Sequence, residues 1–190
     1  GSPIANRNQA AIEPLIGFFA NTLALRINLS ENPSFLELLE QVKQTTLEGY
    51  AHQDLPFEML VEKLQLDRDL SRNPLVQVMF ALQNTSQDDW NLSGLNIENL
   101  SLSVEATVRF DLEVHYWEKP EGLEGIWLYS SNLFDVTTIQ RMGQNFHHLI
   151  KEIITNPQTK VKQLPLLTMA EIHLLSSWND THADYLEIGR

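Results

Sequence analysis

Cysteine is absent from the 190 residues, which excludes a disulfide framework, a thiolate nucleophile and Cys-ligated zinc. Basic residues are scarce: 13 Lys and Arg stand against 25 Asp and Glu, a formal charge of -12. Phosphates need basic partners, so neither nucleic acid nor an anionic membrane is an expected partner. No stretch approaches the roughly 20 apolar residues that span a bilayer, and Gly1 to Ala10 carries no basic segment followed by an apolar run. The chain is therefore read as cytoplasmic. A Gly-rich phosphate loop, a Ser nucleophile elbow and a zinc signature are missing as well.

What is present is the composition of an ordinary globular protein, 43% hydrophobic and 20% charged, of a length that suggests one compact unit. Thr22 to Leu29 reads as a strand ended by Ser30-Glu31-Asn32-Pro33. Ser34 and Glu37 have capping-box spacing for a helix to about Tyr50, with Phe35, Leu38, Leu39, Val42 and Thr46 on one face. Pro56 suits the first position of a short helix presenting Phe57, Leu60, Val61 and Leu64, with Asp54 as its N-cap. Leu75 to Leu82 has the length of a buried strand, and the polar Gln83 to Gly94 that of a surface loop. Val104 to Tyr116 and Gly125 to Ser131 flank the turn sequence Lys119-Pro120-Glu121-Gly122 and predict an antiparallel pair. Ile139, Met142, Phe146, Leu149, Ile150 and Ile153 predict a second helix over 138–154. Long amphipathic helices mixed with strands indicate an α/β (α+β) sandwich, helices packed on a sheet.

Several strings carry more than composition. Gly1-Ser2-Pro3-Ile4-Ala5-Asn6-Arg7, Ile16-Gly17-Phe18-Phe19-Ala20-Asn21-Thr22-Leu23, His52-Gln53-Asp54-Leu55-Pro56-Phe57-Glu58 and Arg68-Asp69-Leu70-Ser71-Arg72-Asn73-Pro74-Leu75 follow one another along the chain. In order and spacing they resemble consecutive motifs of nonribosomal peptide synthetase condensation domains. Weaker matches are Arg109-Phe110-Asp111-Leu112, Asn132-Leu133-Phe134-Asp135 and Leu164-Pro165-Leu166-Leu167. The resemblance implies one lobe of a chloramphenicol-acetyltransferase-like fold, whose two lobes form a V around a tunnel. Carrier proteins bring donor and acceptor to that tunnel as phosphopantetheine thioesters, and the acceptor amine attacks the donor to form an amide. The family's two-histidine active-site string lies in the first lobe, upstream of everything in this sequence. Residues 1–167 are accordingly expected to be the C-terminal lobe and 168–190 a linker toward an adenylation domain. The resemblance of Leu174-Leu175-Ser176-Ser177-Trp178-Asn179-Asp180-Thr181 to the condensation–adenylation join supports that boundary.

The candidate groups divide by chemistry. His147-His148 with Glu152 is a near match to the two-histidine string, yet on the predicted helix the two histidines lie about 100° and about 200° around from Phe146, away from the apolar face. His52 with Asp54 is either an acid–base or ligand pair lacking a third group, or a locally hydrogen-bonded residue beside a helix cap. Asp111, Glu113 and His115 alternate along a predicted strand and project from one face, with Asp111 read as a structural hydrogen-bond anchor. Arg68, Asp69, Ser71, Arg72 and Asn73 are the densest polar group. Arg72 either offers its planar fork to a pantetheine phosphate or pairs with Asp67 or Asp69.

By resemblance Asn21 and Thr22 lie near the tunnel, so Asn21, Thr22, Arg68, Ser71, Arg72 and Asn73 are the expected tunnel or carrier contacts. Arg7, His52, Asp54, Pro56 and Asp111 are the expected structural motif residues. No catalytic residue and no metal is assigned, and no cofactor is expected on this chain, phosphopantetheine arriving on the carriers. The expected partners are the N-terminal lobe, peptidyl carrier proteins and a downstream adenylation domain. The reading is a fragment of an amide-forming acyltransferase domain, inactive alone; the rival is a non-catalytic docking scaffold of the same fold.

Overall fold

The computed structural model describes residues 1–65, 69, 72–83 and 107–181. In chain order these form β1 (Ser2–Ile4), β2 (Asn21–Leu23), α1 (Phe35–Ala51), α2 (Phe57–Leu64), β3 (Val78–Gln83), β4 (Leu112–Lys119), β5 (Gly122–Tyr129), α3 (Val136–Thr155), a 3₁₀ turn (Val161–Gln163) and α4 (Met169–Asn179). Instead of one compact unit there are two: Gly1–Ile27 with Lys43–Asp135, and Asn28–Val42 with Val136–Arg190.

The first unit is built on a sheet. β3 and β4 run parallel, with Val78 opposite Leu112, and β4 and β5 form the expected antiparallel pair, with Leu112 opposite Tyr129 and Lys119 opposite Gly122. Gly122 closes that hairpin at φ +137°, a conformation only glycine adopts without strain. β1 and β2 form a second, antiparallel pair. Gly1 ties it to β3, donating to Val78 O at 2.8 Å and accepting from Phe80 N at 2.9 Å, the pattern of a parallel bridge opposite Met79.

The strand bounds need correction in four places. Of the strand expected over Val104–Tyr116, the described part before Leu112 is not strand and β4 runs on to Lys119, while the strand expected over Gly125–Ser131 lies over Gly122–Tyr129, which tightens the turn to Pro120-Glu121. β2 covers three residues and not Thr22 to Leu29, because the partner strand β1 supplies only three positions. The strand expected to be buried over 75–82 lies over 78–83 and is covered on one side: Met79 and Ala81 are buried, whereas Val78, Phe80 and Leu82 are about half exposed. Period-two alternation puts these two sets on opposite faces. The opposite strand β4 buries Leu112, Val114 and Tyr116. The expected loop over 83–94 lies outside the described residues, apart from Gln83, which ends β3.

The second unit is organised by helix termini. Ser34 N and Oγ both donate to Glu37 Oε2, at 2.7 and 2.9 Å, while Glu37 N donates to Ser34 Oγ at 3.3 Å, which is the expected capping box. The remaining first-turn donors of α1 are met from the chain after α3: Phe35 N donates to Thr159 O and Leu36 N to Pro157 O. The apolar stripe takes Phe35, Leu38, Val42 and Thr46 as expected, but Leu39 is half exposed. α3 matches the predicted 138–154 to within two residues at its N-terminus and one at its C-terminus. α4 is longer than the one or two turns expected after Thr168: eleven residues, started by a second capping box of Thr168 and Glu171.

Candidate functional site

Because β3 and β4 start side by side and β5 ends opposite them, the lead-ins of the first two strands meet the exit of the third. There Arg72, Asn73, Arg109, Asp111 and Ser130, with Val108 and Phe110, line an open cleft of about 270 Å³. Its backbone is tightly knitted. Asp111 N donates to Gln77 O at 3.0 Å, Ser130 N to Asp111 O at 3.0 Å, and Asn73 Nδ2 to Arg109 O at 2.6 Å. Gln77 Nε2 reaches back to Asn73 O at 2.8 Å. Leu75 holds φ +62°, a strained value for a side chain with a Cβ. The Arg72–Asp69 pair is long, 3.7 Å, and both side chains are largely in solvent, so it holds Arg72 weakly. Two arginines against one aspartate in the lining of a polar cleft suit an anionic ligand that takes forked hydrogen bonds.

Two residues beyond Asp111 on β4, Glu113 is 6% exposed. Its Oε1 accepts from Arg109 N at 3.1 Å and its Oε2 lies 3.5 Å from His115 Nε2. His115 Nδ1 in turn lies 3.4 Å from Gln83 Nε2. Glu113 and His115 thus share a face of β4 as expected, while Asp111 precedes the strand, anchors it through its backbone and turns to the cleft.

The other expected residues sit elsewhere in the first unit. Asn21 is spent on the segment before α2: its Nδ2 donates to Gln53 O and Leu55 O at 2.9 and 2.8 Å, and its Oδ1 accepts from Phe57 N at 3.0 Å. The expected N-cap role of Asp54 is therefore wrong. Pro56 occupies the N-cap position without a side-chain bond, and the α2 donor is satisfied from 36 residues upstream. Asp54 instead accepts from Asn8 Nδ2 at 3.0 Å. His52 is exposed, and its backbone N–H donates locally, to Gly49 O at 3.1 Å. Arg7 clasps the loop that follows it: Nη1 reaches the carbonyls of Ile12, Glu13 and Leu15, and the guanidinium lies 4.2 Å over the Phe19 ring. Thr22 pairs with Pro3 between β2 and β1.

The cleft thus unites Arg72, Asn73 and Asp111 but not Asn21 or Thr22, and Arg68 and Ser71 lie outside the described residues. Arg109 and Ser130 join it without having been expected there. Arg109 stands in one of the weaker motif strings, which is a usable signal, whereas Ser130 is delivered by β5 register, which leaves no local one. His147 is exposed and His148 half-buried on α3, while Phe146, Leu149, Ile150 and Ile153 take the inward positions assigned to them.

The family model described as Condensation domain matches residues 1–175. The chain belongs to the condensation-domain family. A curated relative, tyrocidine synthase 3 of Brevibacillus parabrevis, is 41% identical over 186 residues, covering 97% of this chain and 3% of that protein. Malpinin synthetase of Mortierella alpina is 46% identical, over 92% of this chain and 2% of its own length. Among solved structures, the complex of the X-domain and OxyB from teicoplanin biosynthesis superposes with a TM-score of 0.76 at 27% identity, covering 88% of this chain and 37% of that one. A four-domain nonribosomal peptide synthetase bound to AMP and glycine gives 0.77 at 22% identity, over 90% and 14%. The mixed sheet and helices are thus an α+β condensation-domain fold. This condensation-domain chain spans only a small part of the curated relatives it matches.

Proposed function

We propose that this chain is the C-terminal lobe of a condensation domain that joins carrier-bound donor and acceptor thioesters through an amide, with the general base supplied from outside these 190 residues. Residues 168–190 lead toward an adenylation domain. The observation that carries the reading is the cleft, where two arginines against one carboxylate, Asp111, with an asparagine and a serine, surround open polar space whose excess positive charge suits the phosphate of an incoming pantetheine arm. The histidines of α3 are unsuited to act as the base, being set on a helix and not on a loop, with His147 exposed and neither among the described residues that line a cavity. The Arg7-clasped loop supports a partner lobe. It leaves Ile16 103% and Phe18 90% exposed, an apolar tip of the kind that marks an interface.

The test is a titration of this chain with a peptidyl carrier protein, with and without its phosphopantetheine arm. The armed carrier binds more tightly, and Arg72→Ala with Arg109→Ala removes the difference. Equal affinity for both carrier forms contradicts the assignment of the cleft. A docking scaffold without chemistry is the second reading, favoured by the X-domain relative solved in complex with OxyB. It is separated from the first by whether the segment preceding Gly1 in the intact protein carries the two-histidine string.

A further inference from the structure

The inward faces of α1 and α3 do not fill the space between them. Phe35 and Leu38 of α1, Phe146, Ile150 and Ile153 of α3, and Leu164 beyond the 3₁₀ turn line an open cavity of about 760 Å³ within the second unit. Its volume lies in the range of small-molecule sites, which are concave, mainly apolar and carry a few fixed polar groups. Among its described lining residues the one charged side chain is Lys162.

Lys162 is held by its backbone, and among the described residues nothing pairs with its ammonium. Its N–H donates to Asn32 Oδ1 at 2.9 Å, at the start of the 3₁₀ turn, which fixes where the side chain leaves the chain. The neighbouring Lys160 is occupied by Glu37 at 3.1 Å, whereas Lys162 is exposed and makes no ion pair among the described residues. An apolar chamber edged by a placed cation that no described residue pairs has the polarity of one ligand class, an unbranched carboxylic acid with its tail inside and its carboxylate at the rim. The protein's charge of -12 opposes a bare anion, so affinity must come from the tail.

We infer that this cavity binds medium- to long-chain carboxylates, the tail lying against Ile150 and Ile153 and the head group at Lys162. The experiment titrates the full 190-residue chain with octanoate, decanoate and dodecanoate by calorimetry, alongside dodecanol, and follows methyl NMR signals. Affinity rises about fourfold per added methylene, the free-energy gain of burying one CH₂. The methyls of Ile150, Ile153 and Leu164 shift with saturation. Lys162→Gln, a surface change that leaves the fold intact, weakens dodecanoate roughly two- to fivefold and leaves dodecanol unchanged. Absence of saturable binding, affinity independent of chain length, or equal weakening of dodecanoate and dodecanol each overturns the assignment. So do cavity methyls that shift with protein concentration in the absence of ligand, which would give the space to a second copy of the chain.

Discussion

Asn21 shows how much of this fold rests on single side chains. Its amide satisfies two carbonyls left over after α1 and one N–H at the start of α2, groups that are costly to leave unpaired. Asn21→Ala is expected to lower stability by about 2 kcal/mol, a fall in Tm of roughly 4–8 °C. Asp54→Ala removes one exposed hydrogen bond and is expected to change Tm by less than about 2 °C. Thermal unfolding of the two variants side by side decides which residue holds the start of α2. Glu37 makes a second residue-scale prediction. Bonds from the Ser34 backbone and hydroxyl, and then Lys160, hold its carboxyl below the ordinary 4.5, at about 2. A carboxylate with a depressed folded value stabilises above its unfolded value and loses that contribution as pH falls. The ionised carboxylate's share of the capping box is therefore present above about pH 4.5 and lost between there and about pH 2, while the bond from Glu37 N to Ser34 Oγ does not titrate. Urea unfolding of Glu37→Gln should show a deficit at pH 7 that closes on acidification through this window. A deficit constant with pH would contradict the ionic cap.

At the scale of elements, Gly125 sets how closely β5 lies against its neighbour. A Cβ there would collide with the Tyr116 ring from β4, and that ring is already fixed by Phe80 at 6.1 Å and by the Trp127 indole N–H at 3.3 Å. Gly125→Ala is expected to cost about 1–3 kcal/mol by overpacking, read as a lowered urea midpoint with unchanged slope. The elements legible in the sequence are those whose determinants are local. α1 and α3 carry their period, and Ser34 and Glu37 stand at capping distance in the chain. What stays hidden depends on distant partners. The length of β2 is set by β1, the cap of α2 comes from Asn21, and the parallel pairing of β3 with β4 joins strands separated by 28 residues. The cleft follows the same rule: Arg72 and Asn73 stand out as a polar cluster, while Ser130 reaches it only through sheet register.

For the whole molecule, the exposed tip of Ile16 and Phe18 and the half-exposed face of Val78, Phe80 and Leu82 leave more apolar surface than an isolated soluble domain usually shows. The chain on its own is therefore expected to bind a hydrophobic dye and to self-associate, with Ile16→Ser and Phe18→Ser reducing both in light scattering. A monodisperse, dye-silent monomer would favour the self-contained scaffold. The condensation motifs are readable because they are strings of adjacent residues. The division into two units is not, because it follows contacts that cut α1 in the middle. The most direct test of the central claim is amide formation from loaded donor and acceptor carriers. It compares this 190-residue chain alone with an intact two-lobed condensation domain that includes it as the proposed second lobe. Turnover is expected from the intact domain, with loss of that turnover when the histidines of its other lobe are replaced, and no product above the uncatalysed background from the chain alone. Product from the chain alone, or an intact domain indifferent to those histidines, would contradict that claim.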